Sequence, residues 1–146
     1  MQTKSPSLSN VGRVGAQTWA QDFEQRHGRI DHAPTLRVIQ MDERQAPDAE
    51  NGYLRRAMGS IDFELFVCAL IYFRSSGMSD RKCREVQNIL GGAMSRRTYW
   101  NNLDRLWYFM AGRMIERPIS APYRNALPSA AQRYAGKEPI VQNPTE

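Results

Sequence analysis

Residues 78–115, MSDRKCREVQNILGGAMSRRTYWNNLDRLWYFMAGRMI, constrain the fold more than any other stretch of the chain. Before Gly91-Gly92, the residues Cys83, Val86, Ile89 and Leu90 recur at short helical intervals. After it, Tyr99, Leu103, Leu106 and Met110 do the same, with Phe109 and Met114 widening the stripe. That period is helical, because about 3.6 residues complete a turn. The spacing predicts a helix over Asp80–Leu90 capped by Ser79, and a second from Arg96 to about Met114 capped by Ser95. The Gly91-Gly92-Ala93 turn allows the positive φ that a sharp reversal needs. Two helices joined in this way have the layout of a helix-turn-helix, whose second helix enters a DNA major groove.

The remainder is read around that unit. Ile61, Leu65, Cys68, Ala69, Tyr72 and Phe73 share a helical stripe, and Phe66, Val67, Leu70 and Ile71 extend it almost to a full circle. Such a helix is the buried centre of a small domain; Ser60 would cap it and Ser75-Ser76-Gly77 would end it. Residues 1–15 read as a flexible lead, and Thr18–His27 as one short amphipathic helix carrying Trp19 and Phe23. Residues 35–41 read as a short strand or extended arm, and 42–52 as a loop. Pro118, Pro122, Pro128, Pro139 and Pro144 break the final stretch into short pieces. The expected organisation is an N-terminal arm with a short helix and loops over 1–59, a helix-turn-helix domain over 60–117, and a Pro-rich tail over 118–146. The expected fold class is all-α: a small bundle of four or five helices around Leu65, Leu70, Val86, Leu90, Leu103 and Leu106, with flexible N- and C-terminal segments.

Charge is unevenly spread. Residues 1–73 have a net charge of −1, residues 74–117 of +5, and residues 118–146 of +1. The excess positive charge coincides with the helix-turn-helix unit, as contact with a phosphate backbone would require. Once Tyr99, Leu103, Leu106 and Met110 turn inward, the opposite side of that helix presents Arg97, Asn101, Arg105 and Tyr108. Arg96 and Trp100 lie on one flank and Thr98 on the other. Arginine bonds guanine through two acceptors and asparagine bonds adenine in the same manner. Ser95, Arg96, Arg97, Thr98, Trp100, Asn101 and Arg105 are therefore the candidate DNA-facing residues of the second helix. Arg81, Lys82 and Arg84, early in the preceding helix, are candidate phosphate contacts.

Other chemistries find little support. The chain has no G-x-x-x-x-G-K, G-x-S-x-G or H-E-x-x-H motif. Asp31-His32 and His27 have no partner pattern around them, so no enzyme and no cofactor are expected. Cys68 and Cys83 are the only cysteines, far apart and on apolar faces. They read as reduced, buried hydrophobes rather than metal ligands. No apolar run approaches the roughly 20 residues of a spanning helix, and no secretory signal is visible, which makes a cytoplasmic location the expectation.

The stretch LIYFRSSGMSDRKCREVQNILGGAMSRRTYWNNLDRLWYFMAGRM resembles the core of small bacteriophage late-gene regulators of the antiterminator Q type. Their helix-turn-helix is related to the domain of sigma factors that reads the promoter −35 element. The similarity rests on an apolar helix ending Tyr-Phe-Arg, a Gly-Met-Ser entry, and a second helix opening Ser-Arg-Arg-Thr and running through Leu103, Leu106 and Gly112. It implies binding to double-stranded DNA at a late promoter and loading onto paused bacterial RNA polymerase. It also implies Arg96, Arg97, Thr98 and Asn101 at bases and Arg81 and Lys82 at the backbone. The chain departs from the zinc-containing branch of that group, since it lacks the cysteines. Two alternatives stand beside this reading. One is a simple repressor, which needs the same helix. The other is a protein-interaction module using the aromatic run Trp107-Tyr108-Phe109.

Overall fold

A computed structural model describes residues 7–48 and 51–116. Among the described residues the chain forms six helices and no strand: α1 (Leu8–His27), α2 (Ala33–Arg44), α3 (Gly52–Gly59), α4 (Phe63–Arg74), α5 (Ser79–Leu90) and α6 (Arg96–Glu116). The all-α class is as expected. The N-terminal part is not. Three helices replace the single short helix and loops expected there, and the strand-like 35–41 segment lies inside α2. The Pro-rich stretch from Pro118 lies outside the described residues.

α4 is the centre. Leu65 through Ile71 are all buried, as an almost uniformly apolar helix demands. α1 and α6 flank it and pack on each other along much of their length. Their close approach depends on small residues. A Cβ on Gly12 would lie 1.6 Å from the Trp107 carbonyl oxygen, so no other residue fits there without moving a backbone. Trp19, Phe23 and Phe66 meet as a triad of rings with centroids 5.2–6.0 Å apart. Of the expected core, Leu65, Leu70, Val86, Leu103 and Leu106 are buried, and Leu90 packs against the cluster from a half-buried position.

Helix starts divide into those the sequence marks and those it does not. Ser7 begins α1, and its Oγ accepts from the Asn10 amide at 3.3 Å. Ser95 caps α6 as expected, its Oγ accepting from the Thr98 amide at 3.1 Å. Ser60 does not cap α4. It ends α3 instead, donating its hydroxyl to the Ala57 carbonyl at 2.7 Å, and Asp62 in extended conformation precedes α4. Ser79 is the first residue of α5 rather than its cap, with Met78 in the cap position.

One carboxylate joins the N-terminal helices. Glu43 of α2 is fully buried. It accepts from Trp19 Nε1 at 2.9 Å, from Arg26 Nη1 at 3.0 Å and from Arg55 Nε at 3.2 Å. These partners come from α1 and α3, so one side chain ties three helices together. Such a charge is tolerated in the interior only because both of its oxygens are paired.

Candidate nucleic-acid interface

The turn between α5 and α6 is a built object. Gly91 closes α5 in the left-handed region (φ 79°), and its amide donates to the Gln87 carbonyl. Beyond it the chain doubles back along α5. The Met94 carbonyl accepts from Gln87 Nε2 at 2.6 Å and from Cys83 Sγ at 3.3 Å. Met94 itself is buried. The start of α6 is therefore held against the middle of α5 by side chains of α5, and its direction follows from that clamp and the Ser95 cap.

On α6, Tyr99, Leu103, Leu106 and Met110 are wholly buried. Ser95, Arg96, Arg97, Thr98, Trp100, Asn101, Arg105 and Tyr108 are exposed, as the periodicity requires. Trp100 keeps about half of its surface in solvent, at 47%, with its edge against Tyr99. Thr98 accepts from the Ser95 hydroxyl at 3.0 Å, so both hydroxyls face outward at the helix start. On α5, Arg81 and Arg84 are exposed. Lys82 is half-buried, its ammonium 4.3 Å from the centre of the Tyr72 ring. That cation–π contact competes with the phosphate role expected of Lys82.

The candidate residues fall into two groups. Ser95 to Asn101 form the start of α6, and Arg81 and Arg84 lie in the first half of α5, whose first turn meets α6 through the Asp80–Arg96 pair. Arg105 lies one turn beyond Asn101. It borders a groove of about 300 Å³ with Ser60, Ile61, Asp62, Leu65 and Phe109, where the α3–α4 junction faces α6. Trp107 is a packing residue, which leaves it out of the aromatic run of the interaction-module alternative. It is buried, with its ring against Tyr72 and Phe73 (5.3 and 5.7 Å between centroids), so only Tyr108 and Phe109 of the aromatic run reach solvent.

Several contacts around the site were missed in the sequence, of which only Arg81–Glu85 had a local signal. Arg96 Nη1 lies 3.1 Å from Asp80 Oδ1, joining the first turns of α6 and α5 across the turn. Arg81 reaches Glu85 at 3.7 Å, the helical i,i+4 spacing. Glu85 also accepts from the Ser75 hydroxyl at 2.6 Å, and Arg29 lies 3.8 Å from it. Arg74 joins the same patch by pairing with Asp31 and donating to the Ile30 carbonyl at 2.9 Å. Glu85 is thus occupied from three sides, and it fixes α5 to the end of α4 and to the α1–α2 connection. Arg84, Arg97 and Arg105 make no ion pair among the described residues.

Both thiols lie under this surface and are unbridged. Burial pushes the Cys68 thiol up to about 12, partly offset by a contact from Asn102 Nδ2 at 3.9 Å. The Tyr99 hydroxyl is likewise pushed well above its usual range by burial. Neither group ionises near neutral pH. Among the described residues no three His, Cys, Asp or Glu side chains converge as a metal site would need, and no helix is long and apolar enough to cross a membrane. Comparisons with protein families, with curated proteins and with solved structures find no match to the chain.

Proposed function

We propose that the protein binds double-stranded DNA through the first turns of α6 and acts as a transcription regulator. The observation that carries this reading is the sorting of α6: a wholly buried stripe from Tyr99 to Met110 on one side, and Arg97, Asn101 and Trp100 exposed on the other. A helix of 21 residues is roughly 31 Å long. A major groove is about 12 Å wide, so only the first two or three turns enter it. Those turns carry Arg96, Arg97, Thr98 and Asn101, the side chains suited to base edges and phosphates. The clamp on Met94 and the Ser95 cap hold them in a preset direction, so little freedom is lost on docking.

The finer reading is antitermination on bacterial RNA polymerase. It rests on the similarity of residues 70–114 to phage antiterminators of the Q type, and on nothing in the fold. Tyr108 and Phe109 lie beyond the third turn and remain available to a protein on the DNA, which suits an antiterminator better than a simple repressor.

Footprinting on the DNA that encodes the chain tests both levels. The expected result is protection of a discrete site upstream of a late transcription unit. Arg97→Ala should weaken binding to that site by about 1–3 kcal/mol, while Arg81→Ala should weaken binding to every duplex alike. If both variants retain duplexes as the parent does at low salt, the reading fails. Co-elution with polymerase but no retention on DNA would instead favour the protein-interaction module.

A further inference from the structure

The arginines of α5 and of the start of α6 are of two kinds. Arg84 and Arg97 have no acidic partner among the described residues, whereas Arg96 is tied to Asp80. Both members of that pair are well exposed, with side chains 65% and 59% accessible. A pair so open to water is nearly neutral in energy and readily exchanged. Arg84 follows Asp80 by one helical turn and lies on the same face of α5. Asp80 therefore sits among the cations of the face proposed to meet DNA. A phosphate approaching that face meets a carboxylate already holding one of its donors.

We infer that Asp80 is an internal anion that occupies Arg96 in the unbound protein and is displaced by a phosphate of the duplex. This inference rests on the duplex-binding reading above. The exchange leaves the count of charged hydrogen bonds on Arg96 unchanged, which keeps attraction to arbitrary DNA low. After exchange the Asp80 carboxylate is left beside the phosphate, so the net gain from Arg96 is small. Asp80 thereby sets how strongly the face holds DNA that offers no base contacts, making it a specificity-determining residue rather than a contact.

The test is a double-mutant cycle read by fluorescence anisotropy, using a mixed-sequence DNA duplex of about 20 base pairs over roughly 50–200 mM salt. Asp80→Asn should bind about fivefold tighter at the middle of that range, with a salt slope steeper by about one counterion. Asp42→Asn removes the same charge from the exposed side of α2 and should change binding less than about twofold. Arg96→Ala should weaken binding about twofold in the parent and about fivefold in the Asp80→Asn background, a dependence that a merely structural pair would not give. Thermal melting of each variant separates a folding defect from a binding effect. Equal effects of Arg96→Ala in both backgrounds, or an unchanged affinity for Asp80→Asn, would overturn the inference while leaving duplex binding standing. A parent protein that binds no duplex even at the lowest salt would overturn the duplex reading, and this inference with it.

Discussion

Glu43 has the most at stake of any single side chain. It is fully buried, and three donors from two other helices converge on it. Replacing it with Ala leaves Arg55 and the Trp19 indole without this acceptor and Arg26 paired with Asp22 alone. Loss of one partner from a buried ionic cluster costs about 3–5 kcal/mol, and urea denaturation of Glu43→Ala should show a loss of that size. A midpoint within error of the parent would mean that water replaces the carboxylate. His27 adds a smaller effect at the edge of the same cluster. Its Nε2 lies 2.9 Å from Arg26 Nη1, and an arginine can only donate, so Nε2 accepts and the ring is neutral. Partial cover of the exposed ring by Phe23, and then the charge of Arg26, lower its pKa below the ordinary value near 6.5. The unfolded chain then takes up a proton before the folded one. Stability is unaffected by His27 above that value, declines as the pH falls below it, and levels off under the folded pKa. A melting series from pH 7.5 to about 5 should therefore be flatter for His27→Gln than for the parent.

At the scale of elements, the α5–α6 turn decides where the candidate face points. Gly91 holds a φ of 79°, where any Cβ costs about 1–2 kcal/mol. Ser95 supplies a cap worth about 1 kcal/mol. Gly91→Ala and Ser95→Ala should each lower the melting temperature by a few degrees. Because both act on the angle of α6, each should also weaken duplex binding by more than its stability loss explains. Melting shifts with unchanged binding at temperatures where the variants are folded would place the orientation of α6 elsewhere, in its packing on α1. The periodicity of both helices and the role of Ser95 were legible, since each depends on neighbours within one or two turns. α2 was not, for a physical reason. Its inward positions are Leu36, Ile39, Gln40 and Glu43, two of them polar, while Val38 and Met41 are 60% and 61% exposed. The polar pair is satisfied inside, Gln40 by the Ile61 carbonyl at 2.7 Å. Hydrophobic periodicity assumes that polar residues face water, and here the partners that break this assumption lie on α1, α3 and the α3–α4 connection. α1 was shortened for a related reason. Its N-terminal inward face includes Gly12, Gly15 and Ala16, which bury little and signal nothing, yet they let α6 approach closely.

At the scale of the molecule, α1 is part of the domain rather than an arm. Val11, Trp19 and Phe23 sit in the shared core with Leu103, Leu106 and Met110. Large buried side chains contribute about 1.5–3 kcal/mol each, against a net stability of roughly 5–15 kcal/mol for a typical domain. A fragment spanning 60–116 should therefore lack a cooperative melt and expose Cys68 and Cys83 to a thiol reagent. In the full chain both thiols should stay silent until denaturation, since they are buried and Cys68 titrates near 12. A fragment with a sharp melt and silent thiols would show that the helix-turn-helix folds alone. The sequence by itself determined the helical class, the buried centre at α4, the turn at Gly91 and the outward cationic side of α6, because each follows from spacing and conformational preference within a few residues. Only the tertiary structure decided that the N-terminal helices complete the core, that Glu43 binds three of them together, and that Asp80 holds Arg96. Each of those depends on groups distant along the chain, whose meeting no local period encodes.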